Sequence, residues 1–523
     1  MATTAGERGS RRWVALALLS LGVALIIIDG TVVNVALPTM IRELDLGLSD
    51  AEWINTIYAL VFAALLINLG RAGDVWGRKK LFLLGIVVFV AASVWAGRST
   101  DAAHLIGARF AQGLGAAMIL PNTLSSVNAI FTGRARAVAF AVWGSVIGGM
   151  AAIGPLLGGW LTTSYSWRWI FYVNVPIGGA VLVASLFLVP ETKDPDVQRG
   201  TDAVGAVLVG LGLAALVFGL IEGQTYGWWA PEEAFTLGSW TWPSTRVSVT
   251  PVAFALAVVL LCSFVVVERA RRRSGRVVVL DLDLFRLRSF RWGNTAALIV
   301  SLGEFGLVFV LPLYLQSVLQ YSPLQSGAFI TFIAVGAFLA GPAAARIAER
   351  FGSRTVVVVG MALEAVGVGT IALVLSPSSG GGQIAPFLVV YGVGVGLATA
   401  QLTGAILADV PVQESGQASG TQSTSRQVGS ALGIAVLGAL LSVTLASQTA
   451  ANLATVPGLP PPAAEKLADA VAASAGQAVI QLRQQPGNEA VVTAVDDAFV
   501  TAMKRVVGIA AVFIVLGLAV ATR

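Results

Sequence analysis

Long apolar runs recur along the whole chain and constrain its fold more than any other feature. Fourteen runs have about the 20 residues that an α-helix needs to cross the hydrocarbon core of a bilayer. In lipid each segment must satisfy its own backbone N–H and C=O groups, so these runs predict helices. The expected spans are residues 13–37, 51–70, 81–97, 102–124, 137–161, 169–189, 202–222, 250–267, 292–318, 324–345, 355–375, 384–408, 420–445 and 499–521.

The composition agrees with a surface that faces lipid. Of the 523 residues, 56% are hydrophobic and only 12% are charged, about half the charged share of ordinary soluble domains. A single cysteine excludes an internal disulfide, and no cluster of His and Cys has metal-ligand spacing. The sequence also lacks a glycine-rich phosphate loop followed by Lys and Ser or Thr. We therefore expect no enzyme activity, no metal and no cofactor other than a coupling proton.

Lysines and arginines concentrate in alternate loops between the apolar runs. If the N-terminus is cytoplasmic, most of the 33 basic residues fall in cytoplasmic loops, including the dense run 269–276. This bias predicts that both termini are cytoplasmic. It also explains the net charge of +5 without nucleic acid as a partner. The expected surroundings are the lipid bilayer of a bacterial plasma membrane, with the chain functional as a monomer.

A faint internal repeat divides the chain. In both Gly70–Lys80, after the second span, and Arg346–Arg354, after the tenth, an acid precedes a glycine by three residues among arginines. Repeated halves are a common transporter design with the substrate site between them. The predicted parts are an N-terminal six-helix bundle (1–190), two linking helices with a basic cytoplasmic loop (191–285), and a C-terminal six-helix bundle (286–523) whose outer loop 446–498 is partly helical.

Three ionisable side chains within the spans are candidate functional residues. Asp29 lies in the first span, Arg109 in the fourth and Glu304 in the ninth. A charge at the bilayer centre costs about 2.5–3.5 kcal/mol or more, so such groups face a cavity or one another. Because arginine does not readily lose its proton, we expect Asp29 to be the partner of Arg109. Glu304 is expected to be a second proton or cation site.

Further polar residues in the spans are weaker candidates. The residues expected to line a substrate cavity are Asn34, Gln112, Glu222 and Glu304. Arg426, at the start of the thirteenth span, is interpreted either as an inner gate or as an interface anchor. Glu364, in the eleventh span, lies in no recognisable motif and is expected to have no role in transport.

Four segments carry a resemblance to a known family. They are Asp29–Pro38 in the first span, Gly70–Lys80 in the following loop, Arg109–Ala117 in the fourth span and Gly144–Gly159 in the fifth. Together they resemble the major facilitator superfamily and, within it, the fourteen-span drug:proton antiporters. The resemblance covers nearly the whole chain and implies an all-α fold of six, two and six transmembrane helices.

The resemblance also implies roles for three of these segments. In the fourth span, Arg109 would assist proton transfer with Asp29 as its partner, which makes Asp29, Arg109 and Glu304 the candidate proton-coupling residues. The loop would be a conformational latch made of Gly70, Asp74, Gly77 and Arg78, with Glu349 and Arg350 as its counterpart in the second half. The fifth span would carry the antiporter motif at Gly154, Pro155, Gly158 and Gly159, which marks exporters rather than importers. Met150 and Ala141 stand where the family has glycines, so the match of this span is incomplete.

The predicted function is proton-coupled efflux of hydrophobic, cationic drugs or antibiotics by alternating access. One alternative is a dedicated exporter of a single endogenous natural product or lipid. An alternative of another class is a non-transporting membrane receptor or regulator built on the same fold. An importer is a further alternative, which the resemblance of the fifth span argues against.

Overall fold

The computed structural model describes residues 5–193, 200–237, 240–243, 246–378, 380–410 and 415–523, and within them it is almost entirely helical. The helices are α1 (Ala5–Leu44), α2 (Leu48–Trp76), α3 (Arg78–Gly97), α4 (Ala102–Ile130), α5 (Gly133–Ser164), α6 (Trp169–Tyr172), α7 (Asn174–Leu188), α8 (Ala203–Glu222), α9 (Val249–Arg273), α10 (Arg288–Ser317), α11 (Pro323–Phe351), α12 (Ser353–Val374), α13 (Gly381–Leu407), α14 (Ser415–Leu453), α15 (Pro461–Ala473), α16 (Ala478–Arg483) and α17 (Glu489–Ala521).

The helices follow the apolar runs of the sequence. In the described part of the chain, thirteen segments are long and apolar enough to cross a membrane. They fall on thirteen of the expected spans, with α6 and α7 together forming the sixth. The remaining expected span, 137–161, lies within the 32-residue helix α5, several of whose side chains are outside the described residues. The all-α architecture is confirmed, whereas the count of fourteen spans and the cytoplasmic termini stay predictions.

The sixth span is interrupted at Val173, between α6 and α7. Pro176 follows two residues after the start of α7 and has no N–H to donate to the carbonyl four residues earlier. The helix therefore restarts at this point. The restart places Asn174, a polar residue, in the first turn of α7, where it is only 1% exposed.

Two glycines with positive φ mark the repeat. Gly77 joins α2 to α3 with φ 123°, and Gly352 joins α11 to α12 with φ 84°. Residues with a Cβ rarely adopt this backbone conformation. The face that holds both turns is the one expected to be cytoplasmic, and it is called the inner face below. The opposite face is called the outer face.

Two connections on the outer face have structure of their own. Between α8 and α9, strands β1 (Thr236–Leu237) and β2 (Trp240–Thr241) form a two-residue antiparallel ribbon. Residues 454–488, named the outer cap here, contain α15 and α16, so the outer loop is partly helical as expected. The apolar side chains of the cap are buried against the main core of the protein, and they include Ala464, Ala468, Val471 and Val479.

The apolar core is arranged differently on the two faces. Toward the outer face, one cluster joins both halves and contains Leu37 of α1 and Leu313 of α10. Toward the inner face the halves have separate clusters, one around Phe82 of α3 and another around Phe290 of α10. The two bundles are thus packed together more closely at their outer ends than at their inner ends.

Candidate functional site

Asp29 of α1 and Arg109 of α4 form an ion pair inside the N-terminal half. Asp29 is 0% and Arg109 is 1% exposed. Arg109 Nη1 donates to Asp29 Oδ2, and Arg109 Nε donates to the backbone oxygen of Ile54 at 3.0 Å. The guanidinium carbon lies 4.2 Å from the ring centroid of Tyr58. A buried charge needs this full set of partners, because the penalty for removing it from water is otherwise uncompensated.

Three polar side chains complete the environment of Asp29. Gln112 Nε2 donates to Asp29 Oδ1 at 2.8 Å, and Asn174 Nδ2 donates to the same oxygen at 3.1 Å. Both amides also donate to Ser93 Oγ, at 3.0 and 3.2 Å. Gln112 Oε1 accepts from Arg109 Nη1 at 2.9 Å. Gln112, which we expected in a substrate cavity, thus lies in the buried network of the ion pair.

Ser93 and Asn174 were not identified from the sequence. Asn174 is an amide inside the sixth expected span, and a polar side chain within a span was the available signal. Ser93 offers no such signal, because single serines are common in transmembrane helices. Its contact with both amides depends on how α3 packs against α4 and α7.

The glycines of the fifth span bring α5 against α1. A Cβ on Gly154 would lie 1.9 Å from Thr31 Oγ1, and a Cβ on Gly158 would lie 2.5 Å from Val32 Cγ2. Small residues allow this close approach of helices. The segment that resembles the antiporter motif therefore packs on the same stretch of α1 that begins with Asp29.

The neighbouring residues of α5 reach the other half of the protein. A Cβ on Gly159 would lie 2.4 Å from the backbone oxygen of Pro323, at the start of α11. A Cβ on Gly327 of α11 would lie 2.1 Å from the backbone oxygen of Pro155. One helix thus contacts α1 in its own half and α11 in the opposite half through adjacent glycines.

The loop between α2 and α3 is held within the N-terminal half. Arg78 Nε pairs with Asp74 Oδ1 at 2.7 Å, and Arg78 Nη1 donates to the backbone oxygen of Ser125 at 3.3 Å. A Cβ on Gly77 would lie 2.7 Å from Glu191 Oε2, and a Cβ on Gly70 would lie 2.9 Å from Pro121 Cβ. The loop therefore connects α2, α4 and the end of α7. In the second half, Glu349 and Arg350 are exposed at the end of α11.

A second charged cluster lies in the C-terminal half. Arg426 Nη2 of α14 is 3.5 Å from Glu304 Oε2 of α10. Both line a small cavity together with Glu364 of α12 and the apolar residues Val300 and Met361. Glu364, which we expected to have no role, is therefore a neighbour of two predicted functional residues. Because it lies in a span, the rule that drew attention to Asp29 would also have selected it.

The remaining predicted cavity residues lie apart from both clusters. Asn34 is 8% exposed and donates to the backbone oxygen of Gly30 in its own helix at 3.4 Å. Glu222 lies at the outer end of α8, where Trp53 Nε1 donates to its Oε1 at 2.8 Å. Glu52, which directly precedes Trp53 in α2 and is 2% exposed, was not singled out from the sequence.

The sequence profile of the major facilitator superfamily matches residues 19–228 and 195–434 of the chain. The chain belongs to the major facilitator superfamily. The two matches cover most of both halves. The fold is correspondingly that of a multi-pass membrane transporter of this superfamily, as predicted from the sequence.

Several superfamily relatives are similar over most of their length. The probable actinorhodin transporter of Streptomyces coelicolor is 35% identical over 85% of this chain and 75% of its own. The multidrug efflux pump LfrA of Mycolicibacterium smegmatis is 34% identical over 89% of this chain and 88% of its own. The tetracenomycin C resistance and export protein of Streptomyces glaucescens is 30% identical over 84% and 77%.

A solved structure has the same overall fold. It is a bacterial homologue of the human lysosomal transporter Spinster, crystallised in an inward-facing and unoccupied conformation. The alignment covers 98% of this chain and 97% of that one, with a TM-score of 0.61 and 18% sequence identity. The similarity is one of fold, and it extends over the two halves and the helices between them.

Proposed function

We propose that this superfamily member exports hydrophobic, cationic drugs or antibiotics in exchange for protons, by alternating access. The observation that carries the proposal is the buried ion pair of Asp29 and Arg109 with its surrounding amides. A carboxylate deep in a span is a group that can receive a proton. Among the relatives, a multidrug efflux pump and two proteins named for single antibiotics supply the class of substrate.

The ion pair supplies a physical link between protonation and helix movement. When Asp29 takes up a proton, Arg109 loses its charge partner and remains as a buried cation, which is unfavourable. The strain is relieved if α1 and α4 shift and the guanidinium finds other acceptors. Since α5 packs on α1 and also on α11, a shift of α1 is transmitted to the contact between the halves.

The direction of transport follows from the driving force. A proton that enters from the outside moves down the transmembrane potential, which contributes about 2.3 kcal/mol per charge per 100 mV. In the arrangement described here the halves are joined at their outer ends. This state would release the proton to the cytoplasm and accept substrate there. The state closed at the inner face would do the reverse.

Transport by the purified protein in liposomes tests the proposal. With an imposed pH gradient, we expect the wild type to move a fluorescent lipophilic cation and protons in opposite directions. Asp29→Asn is expected to abolish the gradient-driven component. Asp469→Asn, which removes an exposed acid of the outer cap, serves as the control. Undiminished proton-coupled transport by Asp29→Asn would exclude Asp29 as the carrier.

A second candidate is a dedicated exporter of one natural product. The names of the Streptomyces coelicolor and Streptomyces glaucescens relatives, each referring to one compound, favour it. A resistance profile of cells that express the protein separates the two candidates. Protection against many unrelated compounds supports a multidrug exporter, whereas protection against a single scaffold supports the dedicated one.

A further inference from the structure

Glu364 is a buried carboxyl group without a hydrogen-bond partner. It is 0% exposed, and neither of its two oxygens has a partner in the described part of the chain. Its position is fixed by close helix packing, because a Cβ on Gly394 of α13 would lie 2.7 Å from Glu364 Cγ. An ionised carboxylate left in this way would carry a large desolvation penalty. The site therefore requires a positive charge or a proton at Glu364.

The charges around the cavity do not balance when both acids are ionised. Glu304 and Glu364 line the cavity with a single cation, Arg426, which is 3.5 Å from Glu304. Among the described residues, Tyr391 of α13 is a buried titratable side chain near both acids, and a tyrosine side chain is neutral at physiological pH. On the α17 side of α12, Lys504 and Arg505 line a different groove with Ala365. One guanidinium and one proton would make the cluster neutral.

The size of the cavity selects the proton over an organic cation. The cavity has room for about one water molecule. Its remaining walls are formed mainly by apolar side chains, such as Val300, Met361 and Leu402. A drug-sized ligand needs a pocket of roughly 300 Å³ or more. The Arg426 side chain is 26% exposed, whereas that of Glu304 is 9% exposed, so the cluster opens toward solvent at Arg426.

We propose that Glu304, Glu364 and Arg426 form a second proton-binding site in the C-terminal half, in which Glu364 holds the proton in this arrangement. Arg426 can pair with only one carboxylate well, so the other acid carries the proton. A movement of α14 against α10 and α12 would transfer Arg426 from Glu304 to Glu364. Glu364 would then release its proton while Glu304 takes up another, so the cluster keeps one proton and exchanges it. The inference that Glu364 binds a proton follows from the contacts and charges of the cluster. The exchange of that proton during transport rests on the proposed function.

Infrared difference spectroscopy of carboxyl groups tests the binding of the proton directly. We expect the wild-type protein in detergent at neutral pH to show a protonated-carboxyl band that is absent from Glu364→Gln. Glu304→Gln is also expected to lose the band, because Arg426 then has only Glu364 as a partner. Arg426→Gln is expected to gain a second band, since neither acid retains a cation. Misfolding would not remove the protonated-carboxyl band from both glutamate variants and also add a second band in Arg426→Gln.

Glu465→Gln is the control, because Glu465 is exposed on α15 and should leave the band unchanged. Glu52 is also buried with an unpartnered oxygen and contributes the same signal to every variant, so the difference between wild type and variant is what counts. A wild-type-minus-Glu364→Gln difference spectrum without a protonated-carboxyl band would overturn the assignment. So would loss of the wild-type band on addition of a small organic cation, since the site would then bind that cation.

Transport measurements separate this site from the one at Asp29. If the proton on Glu364 is exchanged, Glu364→Gln in liposomes should lower the number of protons moved per substrate. An unchanged ratio in a transporting variant would overturn the exchange. If the wild type moves no protons at all, the proposed function is wrong. The infrared measurement still tests proton binding at Glu364, because it does not depend on transport.

Discussion

At the scale of single residues, the two buried charge clusters are built in opposite ways. Both oxygens of Asp29 accept hydrogen bonds, from Arg109 on one side and from Gln112 and Asn174 on the other. The oxygens of Glu364 accept none among the described residues. The first cluster is therefore satisfied with its acid ionised, whereas the second is satisfied only with a proton present.

Removal of one partner of the satisfied pair should be costly. We expect Asp29→Asn to lower the free energy of unfolding by about 3–5 kcal/mol, because Arg109 is left as an uncompensated buried charge. The double variant Asp29→Asn with Arg109→Met should be less destabilised than Asp29→Asn alone. Thermal unfolding in detergent measures both. If the double variant is as unstable as the sum of the single changes, the two side chains are not coupled.

For the Asp74–Arg78 pair we expect a small effect on stability and a large effect on transport. Its side chains are 25% and 13% exposed, and ion pairs accessible to solvent contribute only about 0–1 kcal/mol. Asp74→Asn should therefore unfold nearly like the wild type but transport several-fold more slowly, since Arg78 is released from the loop. Asp469→Asn should change neither quantity. A large loss of stability would assign Asp74 a structural role instead of a role as a latch.

At the scale of elements, α5 has two different neighbours through adjacent glycines. Gly158 packs on Val32 within the N-terminal half, and Gly159 packs on Pro323 of the opposite half. An added methyl group at the first position should destabilise the bundle. The same methyl group at the second position should separate the outer ends of the halves.

Spin labels on the outer ends of α5 and α11 can distinguish these effects. In a Cys262→Ser background, labels at Ser164→Cys and Ala328→Cys should report longer distances in Gly159→Ala than in Gly158→Ala. Gly179→Ala in α7 is the matched control, because a Cβ there has no neighbour within 4 Å. Equal distances in Gly159→Ala and the control would show that this contact does not hold the outer ends together.

The helices were predictable from sequence because bilayer thickness fixes the length of an apolar span. The Asp29–Arg109 contact was predictable too, since two opposite charges buried in one half have few other partners. The relation of Glu304, Glu364 and Arg426 was not, because three separate helices supply them. Their contact depends on how α10, α12 and α14 are rotated about their axes, and apolar periodicity is weak in helices that face lipid on one side and protein on the other.

At the scale of the whole molecule, the outer cap bridges the two halves. Arg42 Nη1 of α1 donates to Gln477 Oε1 at 3.1 Å, and Gln477 Nε2 donates to Ser317 Oγ of α10 at 2.6 Å. Arg483 also donates to the backbone oxygen of Ser317 at 3.2 Å. One amide of the cap thus connects the first helix of each half on the face where the halves share a core.

The cap should therefore favour the state that is closed at the outer face. We expect Gln477→Ala to increase the fraction of molecules open to the outside, with longer distances between labels at Ser164→Cys and Ala328→Cys. Gln484→Ala changes the same residue type at an exposed position of the cap and is the control. Identical distance distributions in the two variants would mean that the cap covers the outer face without influencing its opening.

The position of the cap has a pharmacological consequence. While the outer face is closed, a substrate site between the halves is reached only by molecules that enter the membrane or the cytoplasm. The Gln477 bridge lies on the face expected to be extracellular, at the meeting point of the two halves. A peptide or antibody fragment that fastens the cap to both α1 and α10 would inhibit the transporter without crossing the membrane, and the transporter could not remove it by export.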